Sequence, residues 1–221
     1  MKYTRATLKA FKQLMVVGML AATGLITAAQ PAAAQRKITF QLTPNPKFAA
    51  CLGVQGGPAP EATVTVIRGK LADTLTISGK NIAPKLAFDL FTIQRSQLLA
   101  NGQPDLNFTN FGQAWYQSDL QADADGNLKG SIKTILLDQI FGFDPDANLA
   151  PTQALHVGFW FNNPNDAAPC GFDVTKPTPF NGQHKAGPNA MVSLPDPTTD
   201  LGPLCTVPIL QNGTYVCDIN K

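Results

Sequence analysis

Short apolar runs with a period of two recur along this chain, and they constrain its fold more than any other feature. Residues 62–67, ATVTVI, alternate Thr63 and Thr65 with Val64 and Val66. Residues 71–79, LADTLTISG, set Leu75 and Ile77 against Thr74, Thr76 and Ser78. Alternation of this kind puts one row of side chains on each face of a strand. The turn Arg68-Gly69-Lys70 between the two runs predicts a hairpin. Further strands are expected at 38–42 (as an N-terminal edge), 86–94, 113–122, 128–136, 154–162 and 189–194. Asp123-Ala124-Asp125-Gly126-Asn127 carries the turn residues of a second hairpin, joining 113–122 to 128–136. No segment sustains a helical period over three turns. Strands every 10–20 residues with turn signals between them predict an all-β fold, an antiparallel two-sheet sandwich, immunoglobulin-like or related. Asn162 to Gly187 and the tail from Pro195 are rich in Pro, Asn, Gly and Thr, and are expected as long ordered loops.

The N-terminus bears on where such a fold matures. Lys2, Arg5, Lys9 and Lys12 precede an apolar stretch, Leu14 to Ala29, and Ala32-Ala33-Ala34 supplies small residues at a cleavage point. This pattern reads as a secretory signal peptide over residues 1–34, bacterial in style, with one β-sandwich domain over 35–221. Its removal changes the charge balance. The chain holds 17 Lys and Arg against 15 Asp and Glu, and four of the basic residues lie in the leader. The remainder, 13 against 15, has a formal charge of −2 and no basic stripe, which argues against a nucleic-acid partner. No membrane span is expected after cleavage, and the expected location is extracellular or periplasmic.

All four cysteines, Cys51, Cys170, Cys205 and Cys217, follow the leader. An even count in an exported chain predicts two disulfides, with three connectivities open. Proximity favours Cys205–Cys217 as a staple of the tail, leaving Cys51–Cys170 as a long-range tie. A zinc site is disfavoured because no Cys-x-x-Cys occurs and the only histidines are His156 and His184.

Several chemistries lack their residues. There is no Gly-x-Ser-x-Gly elbow, no His-Glu-x-x-His, and no thiol left over once the disulfides form. Asp123-x-Asp125-x-Asn127 resembles the start of a calcium loop. However, Leu128 stands at the sixth position and Thr134 at the twelfth, where glycine and glutamate are needed. No catalytic residue, metal or cofactor is therefore assigned.

Strand parity supplies the candidate binding set. In 155–161, Leu155, Val157, Phe159 and Phe161 share one face, while His156, Gly158 and Trp160 share the other. In 114–121, Trp115, Gln117, Asp119 and Gln121 lie together. If the two polar faces align, Trp115, Gln117, Asp119, His156 and Trp160 form one aromatic and hydrogen-bonding surface suited to sugar or peptide. His184 reaches it from its loop. The competing expectation is a minor core, with both tryptophans under the 162–187 loop and His156 bonded to a loop carbonyl.

The segments FDLF (88–91), WYQSDLQADADGN (115–127), LHVGFWFNNPNDA (155–167) and PFNGQHKAG (179–187) resemble a group of secreted bacterial proteins with no established activity. The resemblance covers about residues 62–195. It implies a single β-sandwich domain after a signal peptide, with the Trp115–Asn127 hairpin and the His156 and His184 segments in one unit.

The expected function is an exported, non-catalytic protein with a binding or structural role, its partner a carbohydrate or cell-surface component. The alternative is a secreted hydrolase or metal-dependent enzyme using Asp119, His156 and His184.

Overall fold

The computed structural model describes residues 36–136, 141–142, 152–181 and 184–218, and of 141–142, 179–181 and 184–185 the backbone alone. The leader read at 1–34 lies outside the described residues. The strands are β1 Lys37–Pro44, β2 Glu61–Ile67, β3 Asp73–Lys80, β4 Ala87–Ile93, β5 Ala114–Gln121, β6 Leu128–Thr134, β7 Phe141–Gly142, β8 Thr152–Gln153, β9 His156–Phe161, β10 Thr178–Asn181, β11 His184–Ala186, β12 Asn189–Ser193, β13 Pro208–Gln211 and β14 Thr214–Cys217. A short helix α1, Ala49–Leu52, and a 3₁₀ helix, Pro164–Cys170, interrupt them.

The fold is mostly β and antiparallel, and it contains all eight long strands that alternation predicts. They do not divide into two facing sheets. They form one eight-stranded ladder, β5-β4-β9-β12-β1-β2-β3-β6, while β7-β8, β10-β11 and β13-β14 are separate two-stranded ribbons. The large sheet is barrel-like. Its terminal strands meet at the Asp123–Asn127 turn, where a Cβ on Gly130 of β6 would lie 2.6 Å from Leu120 Cδ2 of β5. Strand twist accumulated over eight strands brings the two edges together around one interior.

The Arg68–Lys70 hairpin forms, with β2 and β3 in continuous register from Glu61↔Lys80 to Ile67↔Thr74. The second expected hairpin departs from prediction. Asp123 N–H donates to Asn127 O at 2.8 Å, and Gly126 takes the positive φ of 77° that the turn demands. Beyond this turn the strands part, β5 pairing with β4 and β6 with β3. A tight turn therefore links the two edges of the sheet. The strand expected at an edge, β1, is also central, pairing with β2 on one side and β12 on the other. Its own sequence, KITFQLTP, alternates just as an edge strand would, so alternation alone does not reveal its neighbours.

The interior holds the alternating apolar rows: Val64 and Val66 of β2, Leu75 and Ile77 of β3, Phe88 and Leu90 of β4, Phe159 and Phe161 of β9. The Phe88 ring lies 4.7 Å from Phe159 and 5.6 Å from Phe161, centroid to centroid. Leu52 of α1 and Ala167 of the 3₁₀ helix join this core. Cys51–Cys170 ties those two helices across 119 residues, and Cys205–Cys217 closes the β13–β14 ribbon. Both favoured pairings form. The 3₁₀ helix starts where Asn162-Asn163-Pro164 ends β9, with Asn163 Oδ1 accepting the Asn165 N–H at 3.1 Å.

Candidate functional site

Strand β9 is buried on both faces, and its outer face organises the site. In register, Asp119, Asp89, Trp160 and Asn189 form one row across β5, β4, β9 and β12. His156 lies in a different row, opposite Ile93, which in turn faces Ala114. Four residues along β4 separate the rows, about 13 Å at a strand's rise. Asp119 and His156 therefore do not converge. His184 has its backbone in the β10–β11 ribbon, opposite Asn181, and its side chain lies outside the described residues.

The two tryptophans have opposite fates. Trp160 is fully buried, at 0% exposure, in a minor core with Phe91, Ile93, Leu98 and Val192. Its cover is the chain's own loop, but the 94–113 loop rather than the expected 162–187 segment. Phe111 stands edge-on to Trp160 at 4.9 Å, Phe91 at 5.4 Å, and Phe108 continues the series at 4.7 Å from Phe111. A buried polar clamp holds the loop down. Gln97 Nε2 donates to Asn189 Oδ1 at 2.9 Å, while Asn189 Nδ2 donates to Met191 O at 3.1 Å and Phe159 O at 3.3 Å. Gly158 leaves room for this clamp, since a Cβ there would lie 3.2 Å from Asn189 Nδ2.

Trp115, by contrast, is 43% exposed and its neighbour Tyr116 is 53% exposed. They lie on opposite sides of edge strand β5, and the expected face 115-117-119 is split by a bulge. Leu90 pairs with Ser118 but Phe91 pairs with Tyr116, leaving Gln117 as the extra residue. Gln117 Nε2 donates to Thr92 Oγ1 at 3.1 Å, on the same side as Trp115. Tyr116 turns outward, 5.7 Å from Phe91, and joins Asp119. Partial burial and the hydrogen bond to Asp119 push the Tyr116 hydroxyl up to about 12. Asp89, buried beside it, accepts from Asn162 Nδ2 at 2.8 Å. Neither the bulge nor the Tyr116–Asp119 pair is visible to a parity argument, which assumes an unbroken strand.

His156 lies at the other end of this face, 3% exposed. Its Nδ1 is 3.1 Å from Ser193 O and 3.0 Å from Ser193 Oγ. A carbonyl can only accept, so Nδ1 carries the proton and Nε2 presents a lone pair. Burial depresses the imidazole to about 4, partly opposed by the hydrogen bond it donates to the Ser193 carbonyl, so the ring is neutral near pH 7. Its acceptor is a strand terminus where a loop carbonyl was expected. Gly202 packs against the ring, and a Cβ there would meet Leu155 O at 2.2 Å and His156 Cδ2 at 2.7 Å.

His156 forms part of the wall of a polar cleft of about 180 Å³ between the 94–110 loop and the 195–200 turn. Arg95, Asp105, Phe108, Asn110 and Asp200 are among the other residues that line it. The Asp123 carboxylate, by comparison, is committed to its own turn: it accepts from the Asp125 and Asn127 amides at 2.9 and 2.8 Å, and those bonds lower its pKa. Among the described residues no three His, Cys, Asp or Glu side chains gather as a metal-binding group. Among them too, no helix is long and apolar enough to cross a membrane. No family model, curated protein or solved structure matches this chain.

Proposed function

We propose that this chain is an exported, non-catalytic β-protein that holds a carbohydrate or other cell-surface component against the exposed edge of β5. The observation that carries this reading is the exposure of Trp115 and Tyr116, adjacent rings on opposite sides of an edge strand. Large aromatic rings are normally buried, and rings left in water beside hydrogen-bonding groups suit the apolar faces and hydroxyls of sugars. Asp119, tied to Tyr116, and Gln117, tied to Thr92, are the polar groups flanking those rings. The barrel-like sheet, wrapped around one main core, carries this edge. Two disulfides fit an oxidising compartment outside the cytoplasm, and the leader at 1–34 is the route there. A hydrolase built on Asp119 and His156 has less support, because strand register keeps them about 13 Å apart along the sheet.

Two tryptophans make the test direct. Trp160 is buried, so a ligand at β5 changes the emission of Trp115 first. We expect a glycan array to yield a binder that quenches Trp115 fluorescence. Trp115→Ala and Tyr116→Ala should each weaken it about tenfold. Binding that survives both substitutions, or the absence of any glycan or cell-envelope binder, would overturn the reading.

A further inference from the structure

The cleft beside His156 is separate from the β5 edge, and its composition points to a specific kind of occupant. Its wall includes an acceptor that the protein leaves unused. His156 is almost completely buried, its Nδ1 is spent on Ser193, and among the described residues Nε2 meets no donor. Leaving a buried acceptor unpaired carries a cost, which the fold could avoid with an apolar residue at this position. The Ser193 carbonyl fixes the tautomer, and Gly202 crowds the Cδ2 edge of the ring. The ring is thus fixed at its Nδ1 and Cδ2 edges, with His156 in the lining of the cleft.

The remaining lining narrows the ligand class. A metal ion lacks ligands, since no three His, Cys, Asp or Glu side chains gather among the described residues. An anion would meet one guanidinium, Arg95, but two carboxylates, Asp105 and Asp200. A purely apolar ligand would strand these groups and the Asn110 amide. A neutral molecule bearing several hydroxyls satisfies them together: hydroxyl protons go to Nε2 and the carboxylates, and hydroxyl oxygens accept from Arg95 and Asn110. Phe108, half-buried and braced at 4.7 Å by Phe111, supplies the apolar wall that a sugar ring's C–H face packs on. At about 180 Å³ the cleft is smaller than the roughly 300 Å³ at which sites for drug-sized ligands begin.

We infer that the His156 cleft binds a single neutral sugar ring, one hydroxyl of which donates to His156 Nε2. This site goes beyond the β5 reading and does not depend on it.

The chain has only two histidines, so long-range ¹⁵N imidazole spectra of the oxidised protein isolate the signal. A His184→Asn variant assigns it. The probes are neutral hexoses, pentoses and N-acetylhexosamines, with a uronic acid as the charged comparison. At least one neutral sugar should move the His156 Nε2 resonance towards the hydrogen-bonded position while Nδ1 keeps its proton. Phe108→Ala and Arg95→Met should each weaken that response about tenfold, and Trp115→Ala should leave it unchanged. Arg95 is exposed and outside the core, so its variant keeps the test valid should Phe108→Ala loosen the loop. No shift with any neutral sugar, a response confined to the uronic acid, or insensitivity to both variants would each overturn the inference. Loss of the response in Trp115→Ala would also overturn it, by assigning the binding to the β5 edge.

Discussion

The Phe111 ring stands edge-on to the Trp160 indole, with centroids 4.9 Å apart and planes at 78°. This contact closes the outer face of β9. Without it the indole would lose the cover that Phe111 gives, while buried Leu98, the Gln97–Asn189 clamp and the Gln94–Gln113 and Arg95–Phe111 backbone hydrogen bonds would still hold the 94–113 loop.

Phe111→Ala should therefore cost about 3 kcal/mol, at the lower end for a buried phenylalanine because Phe111 is partly exposed. Denaturant titration measures the cost, and a red shift of Trp160 emission locates it. Unchanged emission with unchanged stability would mean that another segment covers the indole. Backbone amides of 94–112 should exchange faster in the variant while those of β2 and β3 keep their protection.

His156 makes stability depend on pH in a defined window. Its folded value of about 4 lies below the ordinary 6.5, so between these values the unfolded chain binds a proton that the folded chain refuses. Stability is then full above about pH 6.5 and falls as pH drops to about 4, by about 3 kcal/mol in all. Arg95, Asp105 and Asp200 are the charged groups facing the same cleft. Asp123, Asp173 and Asp196, each held below the usual carboxylate range by turn hydrogen bonds, act only at still lower pH. Chemical denaturation from pH 7.5 to 4 measures the slope, and His156→Gln should flatten it. A wild-type chain with level stability through this window would show that the ring is accessible.

The two disulfides should differ in weight. Cys51–Cys170 spans 119 residues and joins α1 to the 3₁₀ helix at the core, whereas Cys205–Cys217 spans 12. Loop-closure entropy assigns about 4–5 kcal/mol to the first and about 3 to the second. The paired Cys51→Ser and Cys170→Ser substitution should lower the thermal midpoint more than its C-terminal counterpart. The reverse order would mean that the β13–β14 ribbon, and not the helix pair, limits unfolding.

Much of this molecule is written locally. Alternation places all eight strands of the main sheet within a few residues of their ends, and turn residues place Arg68–Lys70 and Asp123–Asn127. Cysteine spacing favours the pairing that forms. Each is legible because its physical cause, a pleat, a positive φ or a short closed loop, acts over a few neighbouring residues. His156 and Trp160 are likewise assigned from sequence to the face opposite the Phe159 row.

What the fold alone decides is non-local. β1 reads as an edge but lies at the centre, because a strand's partners depend on surfaces made elsewhere in the chain. β5 and β6 share a turn yet close opposite edges of one sheet, because accumulated twist and not the turn sets where they pair. One extra residue at Gln117 separates Trp115 from Asp119, since a bulge reverses the parity of everything beyond it. Burial of Trp160 depends on Phe111, 49 positions away, while Trp115, in a strand that reads the same way, is left in water. Local periodicity says which face a side chain takes; only the packed chain decides what, if anything, covers that face.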